Sequence, residues 1–172
     1  MNIQLALIQF EGFDEGNRML GLTTIDLPEI ELEQTDIKGA GIAGTVSWPV
    51  RGNLNNLAAT LHWLTLTETG ANFLSQGASH MLSLRGAQEA YDAGTGERRV
   101  VGVRLDLRTH ATKLSLGKFE PGETTETELE VMIDWLKLSI DGKEVTELDK
   151  FNYRFNVNGT DYLSDVKQVL GV

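Results

Sequence analysis

At 172 residues, 41% of them hydrophobic, the chain is long enough for one ordinary core and reads as a single domain spanning residues 1–172. A formal net charge of −10 argues against a phosphate-gripping surface, because nucleic-acid affinity rests on Lys and Arg displacing counterions. The absence of cysteine excludes a disulfide framework and a thiolate metal site; no apolar run reaches the roughly 20 residues that span a bilayer, and Met1 to Phe10 lacks the basic start of a secretory signal, so a soluble protein without membrane anchoring is expected.

Met1 to Gly16 specifies no element clearly. Arg18 to Ile25 and Ile30 to Ile37 read as extended, separated by Leu27-Pro28, since proline is unwelcome inside a sheet. Thr45 to Val50 and Leu57 to Thr67 read as further strands, and Thr69 to Gln76 as a short helix ended by Gly77. Met81 to Leu84 resumes extended structure, and Asp92 to Gly96 is a loop by composition. Val101, Val103, Leu105 and Leu107 alternate with Gly102, Arg104, Asp106 and Arg108, as a half-buried strand requires. Gly117 to Thr125, with Pro121-Gly122, is another loop.

From Thr125 the pattern sharpens. Thr127, Leu129, Val131, Ile133 and Trp135 fall on one face of an extended chain, and Glu126, Glu128, Glu130 and Asp134 on the other. After Trp135 the apolar set becomes Leu136, Leu138 and Ile140, which predicts a bulge near Trp135-Leu136. Asp141-Gly142 predicts a hairpin. Phe151 to Val157 alternates again, and Asn158-Gly159 is expected to turn the chain into a terminal helix. In that helix, Asp161 to Gly171, the residues Tyr162, Leu163, Val166 and Leu170 are the expected docking stripe; Thr160 or Asp161 is placed to cap its start and Gly171 its end. The predicted fold is mainly β: an antiparallel β-sandwich or small barrel with one short internal helix and a C-terminal helix.

The motifs that could carry chemistry are weak. Gly39-Ala40-Gly41-Ile42-Ala43-Gly44 matches the dinucleotide pattern, but the chemistry needs a buried strand before it and a helix N-terminus after it. Here a charged segment precedes it and Pro49 lies in the strand that follows, so a flexible or interface loop is expected. His62, His80 and His110 are isolated, no serine sits in a nucleophile elbow, and carboxylates two apart on one strand do not oppose each other across a substrate. No catalytic residue, cofactor or metal is expected. The Asn158-Gly159-Thr160 sequon is explained by its turn. Charge is uneven: residues 1–47 carry eight acids and two bases, 79–116 four and six, and 117–150 ten and four, an asymmetry that ordinary solvation explains or that complementary faces between copies would use.

Against this background Ile140-Asp141-Gly142-Lys143, Asp149-Lys150-Phe151-Asn152, Val157-Asn158-Gly159-Thr160-Asp161-Tyr162-Leu163 and Leu170-Gly171 together resemble the end of contractile-phage major tail tube proteins, a family also used in headless tail-like bacteriocins. Leu27-Pro28 before Gly39 to Gly44, the Leu82 to Gln88 segment running into Tyr91-Asp92-Ala93, and Gly117-Lys118 before Pro121-Gly122 extend the resemblance in the same order over most of the chain; Trp135-Leu136-Lys137-Leu138 is a mild departure and Met1 to Gly16 matches least. The resemblance implies a non-enzymatic subunit that closes into homohexameric rings stacked head to tail inside a sheath. It implies contacts with tail sheath, baseplate or tail initiator, tape-measure and tail terminator proteins, DNA only in transit, and residence in a virion tail or tailocin particle assembled in the host bacterial cytoplasm. An acidic lumen wall would repel phosphates during passage, and Glu126, Glu128, Glu130 and Asp134 are the candidate lumen-facing residues. A related secretion-apparatus tube, a monomeric β-sandwich ligand-binding module and, last, a hydrolase are the alternatives.

Overall fold

The computed structural model describes residues 2–75 and 77–172. Its strands are β1 (Asn2–Asp14), β2 (Asn17–Arg18), β3 (Leu22–Asp26), β4 (Leu32–Ile37), β5 (Val46–Leu54) and β6 (Leu57–Trp63), followed by α1 (Glu68–Asn72). Then come β7 (His80–Asp92), β8 (Arg98–Ser115), β9 (Thr127–Ile140), β10 (Lys143–Asp149), β11 (Arg154–Val157), β12 (Thr160–Asp161) and the terminal α2 (Ser164–Leu170). Ten strands form one antiparallel sheet in the order β12-β11-β10-β9-β8-β7-β1-β2, with β6 joined to β9 and β3 to β6; β4 and β5 make a separate two-stranded ribbon. The mainly antiparallel β expectation is met, with an open sheet rather than a closed barrel.

β9 organises the molecule. Residues 127–133 pair with β6 and residues 135–140 pair with β10, both on the same side, while β8 runs along the other. The change of partner falls where Arg108 pairs Trp135 but Thr109 pairs Ile133, leaving Asp134 as the extra residue of a bulge. The expected phase slip is therefore real and centres one residue before Trp135-Leu136. A bulge bends its strand and raises the local twist, which allows the sheet to divide into a β3–β6 leaf and a β10–β11–β12 leaf. The inner faces of both leaves share one core that includes Leu57, Leu61, Trp63, Leu82, Leu107, Leu129, Ile133, Leu136 and Leu148. Alternation is clean in β6, where Leu57, Ala59, Leu61 and Trp63 are buried and Ala58, Thr60 and His62 are not.

Several expected boundaries move. The internal helix runs only over Glu68–Asn72, capped by Thr67, whose hydroxyl accepts from the Gly70 amide at 3.2 Å; the expected end at Gln76 lies outside the described residues. Phe151 to Tyr153 is a turn rather than strand, because the Asp149 carboxylate accepts from the amides of Phe151 and Asn152 at 3.0 and 3.1 Å. Asp141-Gly142 closes the β9–β10 hairpin as predicted. Asn158-Gly159 closes a further hairpin, β11–β12, before the helix begins. The stretch from Asn2, which the sequence left unspecified, is a 13-residue strand.

Candidate functional site

The candidate acidic face lies on β9 beside β6 and the end of β8. Regular strand begins at Thr127, and Glu126 precedes it with φ 54°, so Glu126 is not held in line with the two acids after it. Glu128 and Glu130 do project from one face, and each meets a basic neighbour: Glu130 accepts from Lys113 Nζ at 2.8 Å, and Glu128 lies 3.4 Å from His62 Nδ1. His62 also reaches Asp26 at 3.0 Å, so an imidazole bridges carboxylates on β3 and β9. The hydrogen bond to Glu130 holds the Lys113 ammonium above its usual range. This face is less uniformly acidic than the β9 sequence by itself implies.

Asp134 is not a surface acid of that face. The bulge turns it into a buried position, 6% exposed, where Arg108 Nε donates at 2.6 Å and His110 Nε2 lies at 3.2 Å. Arg108 continues toward Asp149 at 3.8 Å. The outward face of the β8–β11 portion has alternating signs throughout: Arg104 with Asp106 at 2.8 Å, Lys137 with Glu144 at 2.7 Å and Arg154 with Glu147 at 2.8 Å. Trp135 Nε1 donates to Glu147 at 3.1 Å. Lys137 holds the Glu144 carboxyl below its ordinary range by hydrogen bonding, and is itself held above its own. The outer side of the sheet thus carries two polar patches, one around Glu128 and Glu130 and one made of compensated ion pairs.

The C-terminal segment docks chiefly through one side chain. Leu163 is 7% exposed and lies over Gly52, where an added Cβ would stand 2.4 Å from Leu163 Cδ2. Val166 is half-buried and, with Arg51, Leu54, Lys150 and Tyr153, lines an open cavity of about 270 Å³. Tyr162 packs edge-on against Phe155 at 6.3 Å but stays half-exposed, and Leu170 is exposed. The expected stripe is therefore covered at Leu163 and only in part beyond it, because α2 has seven residues and begins after Leu163 rather than at Asp161. Asp161 does not cap the helix by bonding into its first turn; its carboxylate accepts from the Phe155 and Leu163 amides and pairs with Lys167. Gly171 ends the helix in the left-handed region, as expected. Leu163→Ala should cost about 2–3 kcal/mol in equilibrium denaturation, whereas Leu170→Ala should fall within about 0.5 kcal/mol of the parent.

The most conspicuous surface is one the sequence reading passed over. Ile3, Leu5, Leu7 and Ile8 of β1 are 38–58% exposed. Beyond Gly12 to Asp14, where the Met19 amide and β2 bond to it, β1 has β7 on one side and, among the described residues, a free edge on the other. The signal was the near-continuous apolar run of residues 3–10, which shows no alternation because neither side is buried within one chain. A long hydrophobic edge of this kind is a template for pairing with another chain. Among the described residues no group of His, Cys, Asp and Glu is arranged to hold a metal ion, and no helix is long and apolar enough to cross a membrane.

Known proteins are similar to the chain, one in sequence and others in architecture. The tail tube protein of Escherichia phage P2 is 26% identical over 153 residues, covering 87% of this chain and 86% of its own. Among solved structures, a tube-containing assembly described as the PVC sheath–tube complex of an extracellular contractile injection system, in the extended state, includes a chain that superposes with a TM-score of 0.53 at 13% identity, over 76% of this chain and 88% of that one. A chain from the sheath/tube terminator assembly of the same system superposes with a TM-score of 0.54 at 10% identity, over 78% and 96%. At those identities the two structures establish the shared fold. The profile of the family described as phage tail tube protein FII runs over residues 4–171, from the free edge strand to the left-handed cap of the last helix, and the chain belongs to that family.

Proposed function

We propose that the protein is the structural, non-catalytic subunit of a contractile tail tube, a single tail-tube domain over residues 1–172 that closes into homohexameric rings stacked head to tail as a hollow conduit for DNA passage or membrane puncture. The observation that carries this reading is the family match over nearly the whole chain, and the free apolar edge of β1 supports it, since ring closure would pair what a monomer leaves open. The same reading makes sheath, tail terminator, baseplate or initiator and tape-measure proteins its partners, and a virion tail or tailocin particle assembled in the host bacterial cytoplasm its location. A monomeric ligand-binding sandwich would not need so much uncovered apolar surface. Negative-stain microscopy of purified protein is expected to reveal rings or tubes. A strictly monomeric species at high concentration, with no rings even beside a tail initiator complex, would overturn the reading.

Within this function Glu126, Glu128 and Glu130 remain our proposed lumen acids, with Glu128 and Glu130 the better aligned pair; Asp134 leaves the set because it is buried. Changing all three to Lys reverses three charges per subunit around every ring and removes the Glu130–Lys113 and Glu128–His62 pairs, solvent-screened pairs that add little to stability. Tubes should still assemble, and DNA ejection should slow and become salt-sensitive as the wall begins to attract phosphates. Ejection at the parental rate at low salt would rule out these acids as the lumen wall; failure to assemble would put them in a subunit interface.

A further inference from the structure

The β4–β5 ribbon is amphipathic, yet among the described residues nothing covers its apolar side. Thr35 pairs Trp48, Asp36 pairs Ser47 and Ile37 pairs Val46, so strand alternation puts Ile37, Val46 and Trp48 on one side and Asp36 and Ser47 on the other. The polar side is internally satisfied, with Ser47 Oγ donating to Asp36 at 2.6 Å. The apolar side is open: Ile37, Val46 and Trp48 are 38, 44 and 60% exposed. The base of the ribbon is tied to the body by Gly52 under Leu163, by Arg51 to Asp165 at 2.9 Å and by Lys150 Nζ to the Asn55 carbonyl at 2.7 Å. An isolated two-stranded hairpin is marginal in water, so a ribbon with its apolar side uncovered is a half-made interface.

The complementary half lies elsewhere in the same molecule. Where the β3–β6 leaf stops covering the long sheet, a cavity of about 340 Å³ opens, lined by Leu7, Phe10, Leu27, Leu84, Val103 and Leu138 among others, with Thr24 and Gln88 as its polar side chains and no charged one. The ribbon from Gly39 to Val50 is likewise free of charge. That match matters because copies with a net charge of −10 repel one another. Two uncharged apolar surfaces can meet without forcing acids together, and burying them supplies the attraction.

We propose that the apolar side of the β4–β5 ribbon of one copy seats in the groove between β1 and β3 of a second copy, with Trp48 entering the cavity. The proposal rests on the tube-subunit reading, since it requires copies that assemble. Its mode is heterologous, one patch against a different one, so each copy both gives a ribbon and receives one. The groove opens beside the free edge of β1, so the seated ribbon also covers the exposed side chain of Leu7.

The absence of cysteine makes the test direct. Chains carrying Trp48→Cys and chains carrying Leu27→Cys are mixed, assembled and oxidised; both positions are exposed in the single chain, 60 and 59%, so neither change should disturb the fold. A disulfide-linked dimer is expected from the mixture and from neither variant alone. Trp48→Glu should reduce ring formation at least about tenfold, because a carboxylate would have to be desolvated in the groove, while leaving the thermal midpoint of the unassembled chain unchanged; Trp48→Phe should restore rings. A mixture of the two variants that assembles yet gives no cross-link overturns the docking and leaves the tube reading standing. Parental protein that stays monomeric overturns both. Trp48→Glu rings that form normally and fail only to take up sheath subunits would place the ribbon against the sheath, and also overturn the docking.

Discussion

Arg108→Met is expected to destabilise the unassembled chain by about 3–5 kcal/mol, the cost of removing one partner from a buried ion pair. Arg108 Nε donates to Asp134 at 2.6 Å, and the Asp134 side chain is 8% exposed. Without the guanidinium, the carboxylate retains His110 at 3.2 Å as its one side-chain partner among the described residues. Water cannot replace the lost donor freely, because the site lies where the bulge packs β9 against β8. The comparison that isolates the mechanism is Arg108→Met combined with Asp134→Leu, which removes both charges and should recover much of the loss. Equilibrium denaturation at low protein concentration measures both, since assembly would add stability by mass action. A single-variant loss below about 1 kcal/mol would mean that the pair is solvated and that the bulge does not depend on it.

Gly117→Ala should cost about 2–5 kcal/mol, for two separable reasons. Gly117 has φ 80°, a left-handed conformation that penalises any other residue by roughly 1–2 kcal/mol. In addition, an Ala Cβ would stand 1.7 Å from the Thr125 carbonyl oxygen, backbone that cannot step aside, and overpacking of this kind costs about 1–3 kcal/mol. That carbonyl already accepts from the Lys118 amide at 3.0 Å, and the Thr125 hydroxyl accepts from the Leu66 amide at 2.8 Å. The substitution therefore pulls on the loop that starts β9 and sets where Glu126 stands. Gly122→Ala is the matched control: its φ is 91° but nothing lies within 4 Å of the added Cβ, so only the conformational penalty applies. Equal losses in thermal or denaturant unfolding for the two variants would show that the 117–125 contact is dispensable.

How much of this could be read before folding depends on how local each signal is. The antiparallel β class, the Asp141-Gly142 hairpin, the β9 phase slip and the Gly171 cap rest on side-chain period and on which residues tolerate positive φ, properties that travel with a few neighbouring residues. The order of the Gly- and Asn-containing motifs was local in the same sense, and it sufficed to point to the tail tube family that the comparison over residues 4–171 establishes.

What the chain did not disclose is set by partners distant in sequence. Asp134 and Glu128 share a phase in the written pattern, yet the bulge buries one against Arg108 and leaves the other beside His62; only the pairing of β8 with β9 determines that. The helical stripe from Tyr162 to Leu170 implied a buried face, but a helix of seven residues on the rim of the body covers little beyond Leu163. β1 was illegible for the opposite reason: its apolar run has no alternation, and a strand reveals its face only when one side is buried within its own chain. The strand-rich class, the Asp141-Gly142 turn, the Gly171 cap and the family were legible in the sequence alone. Tertiary structure decided which charges are paired, which apolar side chains stay open and where the ribbon and the groove lie, because each of those depends on packing between residues that the linear pattern keeps far apart.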